Sequence, residues 1–224
     1  MRVLAVETAT LAGGVALLDG ARVVGQYLLD VRVTHSERLM VAVDRLLADA
    51  GWRPEDLEGL AASVGPGSFT GLRIGLSTVK GLALALAIPV VAVPTLDAMA
   101  AALPWATLPV CPVLDARKGE VYAALYRWDG AAMRRDGDYL AIAPDALAAR
   151  LAEPTVLLGD GAALVRSPHA RPAPAPCQAP SPAWVGWLGL ERLAAGRTVT
   201  PADLVPIYLR PSEAELKRRG VAVR

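Results

Sequence analysis

The residues best placed for chemistry form one stretch, Gly65-Pro66-Gly67-Ser68-Phe69-Thr70-Gly71-Leu72-Arg73-Ile74-Gly75. A short apolar run precedes it and a long one follows, the setting of a glycine turn between a strand and a helix. Such a turn aims free backbone N–H groups at one point, and the helix dipole favours an anion there by about 0.3–1 kcal/mol. Gly65, Gly67, Ser68 and Thr70 are therefore a candidate anion or nucleotide site. The spacing departs from both phosphate fingerprints: GxxxxGK[ST] finds no Lys-Ser/Thr pair, and GxGxxG would need glycine at Thr70. The competing reading is structural, with Gly65 and Gly67 permitting a sharp turn and Ser68 capping the helix.

Four acids, Glu7, Asp115, Glu120 and Asp160, are candidates for acid–base or metal chemistry. Glu7 ends the first apolar run beside Thr8 and Thr10, where duplicated kinase-like folds keep an acid next to a phosphate-binding hairpin. Here Ala9 and Ala12-Gly13-Gly14 supply that hairpin with no basic group. Asp115 with Arg117 reads as an ion pair within a turn, not a catalytic dyad. The two histidines, His35 and His169, have no ligand-spaced companion beyond Glu37, so no metal site is expected. Ser68 lacks the GxSxG elbow of a serine hydrolase, and Cys111 and Cys177 form no CxxC motif. No catalytic residue is assigned.

The elements that would position these residues follow from periodicity. Residues 2–7, 13–19 and 22–29 read as an antiparallel meander of three strands. Leu39, Met40, Val43, Leu46 and Leu47 recur at helical spacing over 36–50, with Gly51 as the stop. A strand at 60–64, a helix over 68–87, a strand at 90–93 and a helix from Thr95 complete the order β-β-β-α-β-α-β-α of a ribonuclease-H-like domain, residues 1–103. The meander returns in 110–116, 119–128 and 131–140, with a tight turn at Arg117-Lys118-Gly119. A short helix at 144–151, a strand at 155–160 and a helix at 183–195 follow. The six prolines of 168–182 exclude helix and central strand and predict a surface loop. The expectation is a duplicated α/β fold of the actin, Hsp70 and sugar-kinase type. Its first half is complete, and its second, 104–224, has lost elements.

Composition narrows the class. The 224 residues are 54% apolar and 20% charged, enough to bury a core without staples. Lys and Arg number 23 against 22 acids, so no global field gathers a polyanion. The charge-free stretches 81–96 and 98–114 are broken by prolines and do not span a bilayer. MRVLAVETAT has no signal-peptide pattern. A cytoplasmic protein without membrane contact is expected.

Several segments occur in order along the whole chain: MRVLAVETAT, THSERLM with His35, SVGPGSFTGLRIGLSTVKGLALAL, Pro94-Thr95-Leu96, LDARKGEVYAALY and LVPIYLR. Together they resemble the bacterial TsaB (YeaZ) family, and GPGSFTGLRIG joined to DARKGEVY is far more specific than either alone. The resemblance implies a non-catalytic scaffold subunit for threonylcarbamoylation of the adenosine beside the anticodon in tRNAs that read codons beginning with A. It implies pairing with TsaD, the related subunit that holds the metal and transfers the group, and recruitment of the ATPase TsaE by the pair. ATP and metal then belong to partner subunits, with no cofactor firmly bound here. Where TsaD-like proteins carry paired histidines, this chain has His35 alone, followed by Met40 and Val43. A homodimer is implied for the isolated chain, with tRNA met through the complex.

The helix over 68–87 is apolar nearly all round, leaving Arg73, Ser77 and Lys80 as a thin polar strip. Such a helix is covered on two sides, either within the monomer or by another subunit. The resemblance favours a subunit interface, made with the helix at 36–50 from Leu39, Met40, Val43, Leu72, Gly75, Leu76, Val79 and Lys80. On that reading Gly75→Glu or Leu76→Asp leaves a folded monomer that no longer associates. Two other classes stand against a scaffold: an ATP-binding enzyme using an interdomain cleft with Glu7 as metal acid, and a glycoprotease-like peptidase, which lacks a catalytic base. Lys217, Arg218, Arg219 and Arg224 offer a basic tail, diluted by Glu213 and Glu215, that reads as a solvated end or a weak tRNA contact.

Overall fold

A computed structural model describes residues 1–30 and 35–210. The basic tail lies outside the described residues. Strands β1 (Arg2–Glu7), β2 (Ala12–Asp19), β3 (Arg22–Asp30), β4 (Gly59–Ser63) and β5 (Val90–Val93) form a sheet in the order β3-β2-β1-β4-β5. β1 pairs antiparallel with β2 and parallel with β4, and β5 pairs parallel with β4.

The second sheet repeats this plan strand for strand. β6 (Val110–Arg117), β7 (Glu120–Trp128), β8 (Met133–Ile142), β9 (Thr155–Leu158) and β10 (Ala170–Pro172) run in the order β10-β9-β6-β7-β8 with matching directions. Each sheet has the ribonuclease-H plan, and the fold is a duplication. The reduction of the second half falls on its helices, not its strands. α1 (His35–Ala50) and α2 (Phe69–Leu86) have as counterparts only α4 (Pro144–Arg150) and a single 3-10 turn at Ala162–Leu164. The proline-rich segment accordingly does more than skirt the surface. It supplies edge strand β10, where Pro172 is tolerated, and the Ala173 N–H donates to the Leu157 carbonyl at 2.8 Å.

Side-chain alternation divides the first sheet's partners. Leu4, Val6, Val15 and Leu17 face Leu39, Val43, Leu76 and Val79 of α1 and α2. Val3, Ala5, Ala16 and Leu18 face Val185 and Leu193 of α5 (Pro182–Ala194). A sheet covered on both faces needs apolar residues at consecutive positions, as in VLAV of β1. By length and composition α2 could cross a membrane, but its Leu72, Leu76, Val79 and Ala83 are buried in this core.

The last helix of each half packs on the opposite sheet. α3 (Thr95–Ala101) sets Leu96, Met99 and Ala100 among Val110, Leu114, Tyr126 and Leu158 of the second sheet. α5 follows the second sheet in the chain yet lies on the first, so the packing units are not contiguous in sequence at residues 103/104. α5 sits close because it is glycine-notched: a methyl group at Gly186 would land on Leu18, and one at Gly189 on Ala61. Gly189→Ala should therefore cost about 1–3 kcal/mol by overpacking, a fall in Tm of roughly 2–12 °C. Gly81 of α2 has open space around its Cα, and Gly81→Ala should raise Tm slightly. Thermal melts of the two variants check the contrast, and equal shifts would contradict this packing.

Candidate functional site

The carboxyl end of β1 and that of β6, with their hairpins, face each other across a cleft of about 610 Å³. One wall is Ala9, Thr10 and Leu11 with the turn from Gly67 to Gly71; the other is Leu114 to Lys118 with Asp160; Tyr208 and Arg210 close it. This is where a fold of this plan presents a ligand.

The glycine turn is folded down onto the first hairpin. The Ser68 N–H donates to the Ala9 carbonyl at 2.6 Å, and the Ser68 hydroxyl accepts from the Gly71 N–H at 3.2 Å. A side chain at Gly67 would strike Ala9, at Gly71 the Thr8 carbonyl, and at Gly75 the Thr8 hydroxyl. Three glycines at four-residue spacing thus let α2 lie against Thr8 and Ala9. Gly65 takes φ 94°, a left-handed conformation that glycine adopts without penalty.

This seating turns the Thr8, Ala9 and Ser68 amides away from the cleft. The Ala9 N–H donates to Glu7 Oε1 at 2.6 Å and the Thr8 N–H to Ser63 Oγ at 3.4 Å, both toward the interior. The Thr10 carbonyl bonds His35 Nε2 at 2.8 Å, which gives His35 a structural partner. Of the four candidate anion-site residues, Gly65 is buried, Gly67 is half-buried, and only Ser68 and Thr70 are exposed at the cleft. Ser68 caps α2, and Gly65 and Gly67 form the turn before it.

Glu7 does not reach the cleft. It is wholly buried, accepts also from Ser63 Oγ at 3.0 Å, and its Oε2 has no hydrogen-bond partner. Burial pushes its carboxyl up to about 7 against the opposing pull of the Ala9 and Ser63 hydrogen bonds. The Glu7 carboxyl is thus sealed beneath the hairpin, with no path to a ligand in the cleft in this conformation. Among the described residues no three of His, Cys, Asp and Glu converge as metal ligands.

The facing hairpin matches its expected chemistry. Lys118 and Gly119 form a two-residue turn with both φ positive, and Arg117 before them is also left-handed, at φ 63°. Asp115 holds Arg117 through its N–H at 2.7 Å and its guanidinium at 3.0 Å, an ion pair within the turn. Asp160 accepts from the Asp115 N–H at 3.0 Å, and burial raises its carboxyl above the usual range. Glu120 pairs with Arg210 at 2.9 Å. That Tyr208 and Arg210 help form the cleft had no signal in spacing; only the late LVPIYLR segment marked them. Burial pushes the Cys111 thiol up to about 12, which makes it unreactive.

Comparison with known proteins fits this architecture. A family model described as TsaD, tRNA N6-adenosine threonylcarbamoyltransferase, matches residues 30–158. The Bacillus subtilis tRNA threonylcarbamoyladenosine biosynthesis protein TsaB is 33% identical over 97% of both chains. The chain belongs to the TsaB (YeaZ) family. The Escherichia coli TsaB is 41% identical over 58% of this chain and 56% of its own. The solved YeaZ of Pseudomonas aeruginosa superposes with TM-score 0.81 at 30% identity, over 93% of this chain and 99% of that one.

The TsaB-family interface drawn from sequence needs revision in its residues. Leu39, Val43, Leu72, Gly75, Leu76 and Val79 are buried in this chain's own core. Only Met40, 49% exposed, and the half-buried Lys80 reach the surface. Periodicity identified the apolar side of each helix correctly, but the sheet covers that side. Gly75→Glu would therefore damage the fold itself, since any side chain there meets Thr8. The outward side carries Met40, Val41, Arg73, Ser77 and Leu84, with a shallow groove between the helices at Ile74 and Thr78.

Glu7 gives a pH-dependent prediction. Its proton is held more tightly in the folded state, so its contribution to stability is full below about pH 4.5 and is lost as pH rises through about 7. Relative to Glu7→Gln, the parent should lose roughly 3 kcal/mol across that window. Denaturant titrations of both proteins from acid to mildly alkaline pH measure the difference; parallel profiles would contradict it.

Proposed function

We propose that this chain is a non-catalytic subunit in the formation of threonylcarbamoyladenosine in tRNA, working by docking to TsaD and helping to recruit TsaE. The names of its relatives supply the pathway. One observation supports the supporting role: the hairpin amides at Thr8 and Ala9 are turned inward to Ser63 and Glu7. An ATP-using site would need them turned outward. ATP and the metal are assigned to the partner subunits, and tRNA to the assembled complex.

The docking surface is the outer side of α1 and α2. Met40, Val41 at 68% exposure and Leu84 at 71% are large apolar groups facing solvent there. The TsaD model's match to this chain implies related subunits, and related subunits can pair like faces about a two-fold axis. The same face would join two copies when TsaD is absent. A stable pairing buries roughly 1,600 Å².

Light scattering of the chain mixed with TsaD from the same organism tests this reading. The parent should form a mixed complex, and Met40→Glu or Ser77→Glu should weaken it about tenfold or more, the effect of removing an interface anchor, with thermal stability unchanged. Retained association in both variants would overturn the assigned surface. Sustained ATP turnover by the isolated chain, lost in Glu7→Ala, would instead favour the enzyme reading.

A further inference from the structure

A second cavity, about 900 Å³, opens at the ends of the sheets remote from the cleft. Trp128 pairs with Met133 where β7 turns into β8, beside the Val110 end of β6, whereas the cleft lies at the Arg117 end. Four of the chain's five tryptophans line the cavity: Trp105, Trp128, Trp184 and Trp187. They come from three separate elements: the loop after α3, β7 and α5. Nothing in the proposed docking to TsaD through α1 and α2 uses them.

Trp105 is the most unusual of the four. It is 74% exposed and has φ 60°. Left-handed backbone costs a bulky residue about 1–2 kcal/mol, and an exposed indole returns nothing to the core. Such strain is characteristic of residues held for a ligand. The Trp128 ring steadies it, with centroids 6.1 Å apart and planes at 60°.

The polar lining is cationic. Arg134, Arg135, Arg192 and Arg197 stand against the carboxylates of Asp97 and Glu191. Asp129 holds Arg134 at 2.7 Å and Asp97 holds Arg192 at 3.5 Å. The Arg135 guanidinium lies 3.8 Å from the Tyr139 ring centroid. Among the described residues, Arg135 and Arg197 pair with no carboxylate. The floor is pre-set, because Tyr126 and Tyr139 both donate to Asp97 Oδ1 at 2.7 Å. Arg135 Nε donates to the Gly137 carbonyl at 3.0 Å, which leaves the rest of its guanidinium without a carboxylate. The exposed rings of Trp105 and Trp187 beside arginines that lack a carboxylate partner suit a flat aromatic group that carries negative charge.

We propose that this cavity binds an unpaired nucleotide of an RNA strand, its base stacked on Trp105 and its phosphate held by Arg135 and Arg197. The recognition chemistry stands on the cavity alone, while the choice of RNA as its source rests on the pathway proposed above. Base stacking on an aromatic side chain contributes about 1–3 kcal/mol and tolerates any base. It requires a strand that is not paired, as in a tRNA loop.

The test is fluorescence anisotropy of labelled single-stranded oligo(A) RNA with the isolated chain at about 50 mM salt, with tryptophan quenching as a second readout. Trp105 is exposed, so Trp105→Ala should fold normally and weaken binding about tenfold. Arg197→Ala should weaken it and lower the slope of log affinity against log salt by about 0.7. Arg166→Ala, outside the cavity, should change neither. Absence of binding by the parent, or equal binding by Trp105→Ala, would overturn the proposal. So would equal affinity for an RNA duplex, for AMP alone or for an acidic aromatic peptide. Oligo(A) binding that persists in a chain unable to support tRNA modification would uphold the cavity and remove the pathway reading; the reverse pattern would remove the cavity and leave the pathway.

Discussion

The close seating of α2 on the tip of the first hairpin governs the rest of the molecule. Gly67, Gly71 and Gly75 let the helix backbone meet Thr8 and Ala9, and the Ser68 amide is thereby given to the Ala9 carbonyl. Glu7 is sealed beneath the hairpin and takes the Ala9 amide. A single packing contact therefore accompanies the turning of the Ala9 amide and the Glu7 carboxyl away from the cleft. It also fixes which side of α2 remains outside, the side of Arg73 and Ser77.

Much of the fold was legible because its signals are local. Alternation over residues 2–29 and 110–142, Gly51 as a stop and Ser68 as a cap each act within a few residues, and the observed elements follow them closely. The exchange of α3 and α5 between sheets was not legible, since nothing near residues 182–194 states which apolar surface they will meet. Edge strand β10 was hidden by its prolines. At an edge, one ladder of hydrogen bonds suffices and Pro172 withholds none that is needed.

The site was legible in place but not in role. The glycine motif stands out in the sequence, yet glycine at Gly67 or Gly75 serves equally well for backbone approaching a phosphate and for backbone approaching Thr8 or Ala9. Only the tertiary contacts bear on which it is. The same ambiguity affected the helices, because an apolar stripe records that something covers it without recording what. Leu76 and Val79 are covered by β4 and its neighbours, which leaves residues of unremarkable pattern, Val41 and Ser77 among them, on the exposed side. No sequence signal joins the tryptophans, because residues 105, 128, 184 and 187 share no spacing and meet only through tertiary structure.

The described residues thus frame two cavities at opposite ends of a pair of sheets. The central claim is that it contributes surfaces, not reacting groups. The most direct measurement is the rate of threonylcarbamoyl transfer to tRNA in a mixture reconstituted from separately purified subunits, with this chain supplied either as the parent, as Glu7→Gln or as Met40→Glu. The account predicts that the parent and Glu7→Gln support the same rate while Met40→Glu supports almost none. A rate that collapses with Glu7→Gln and survives Met40→Glu would contradict it.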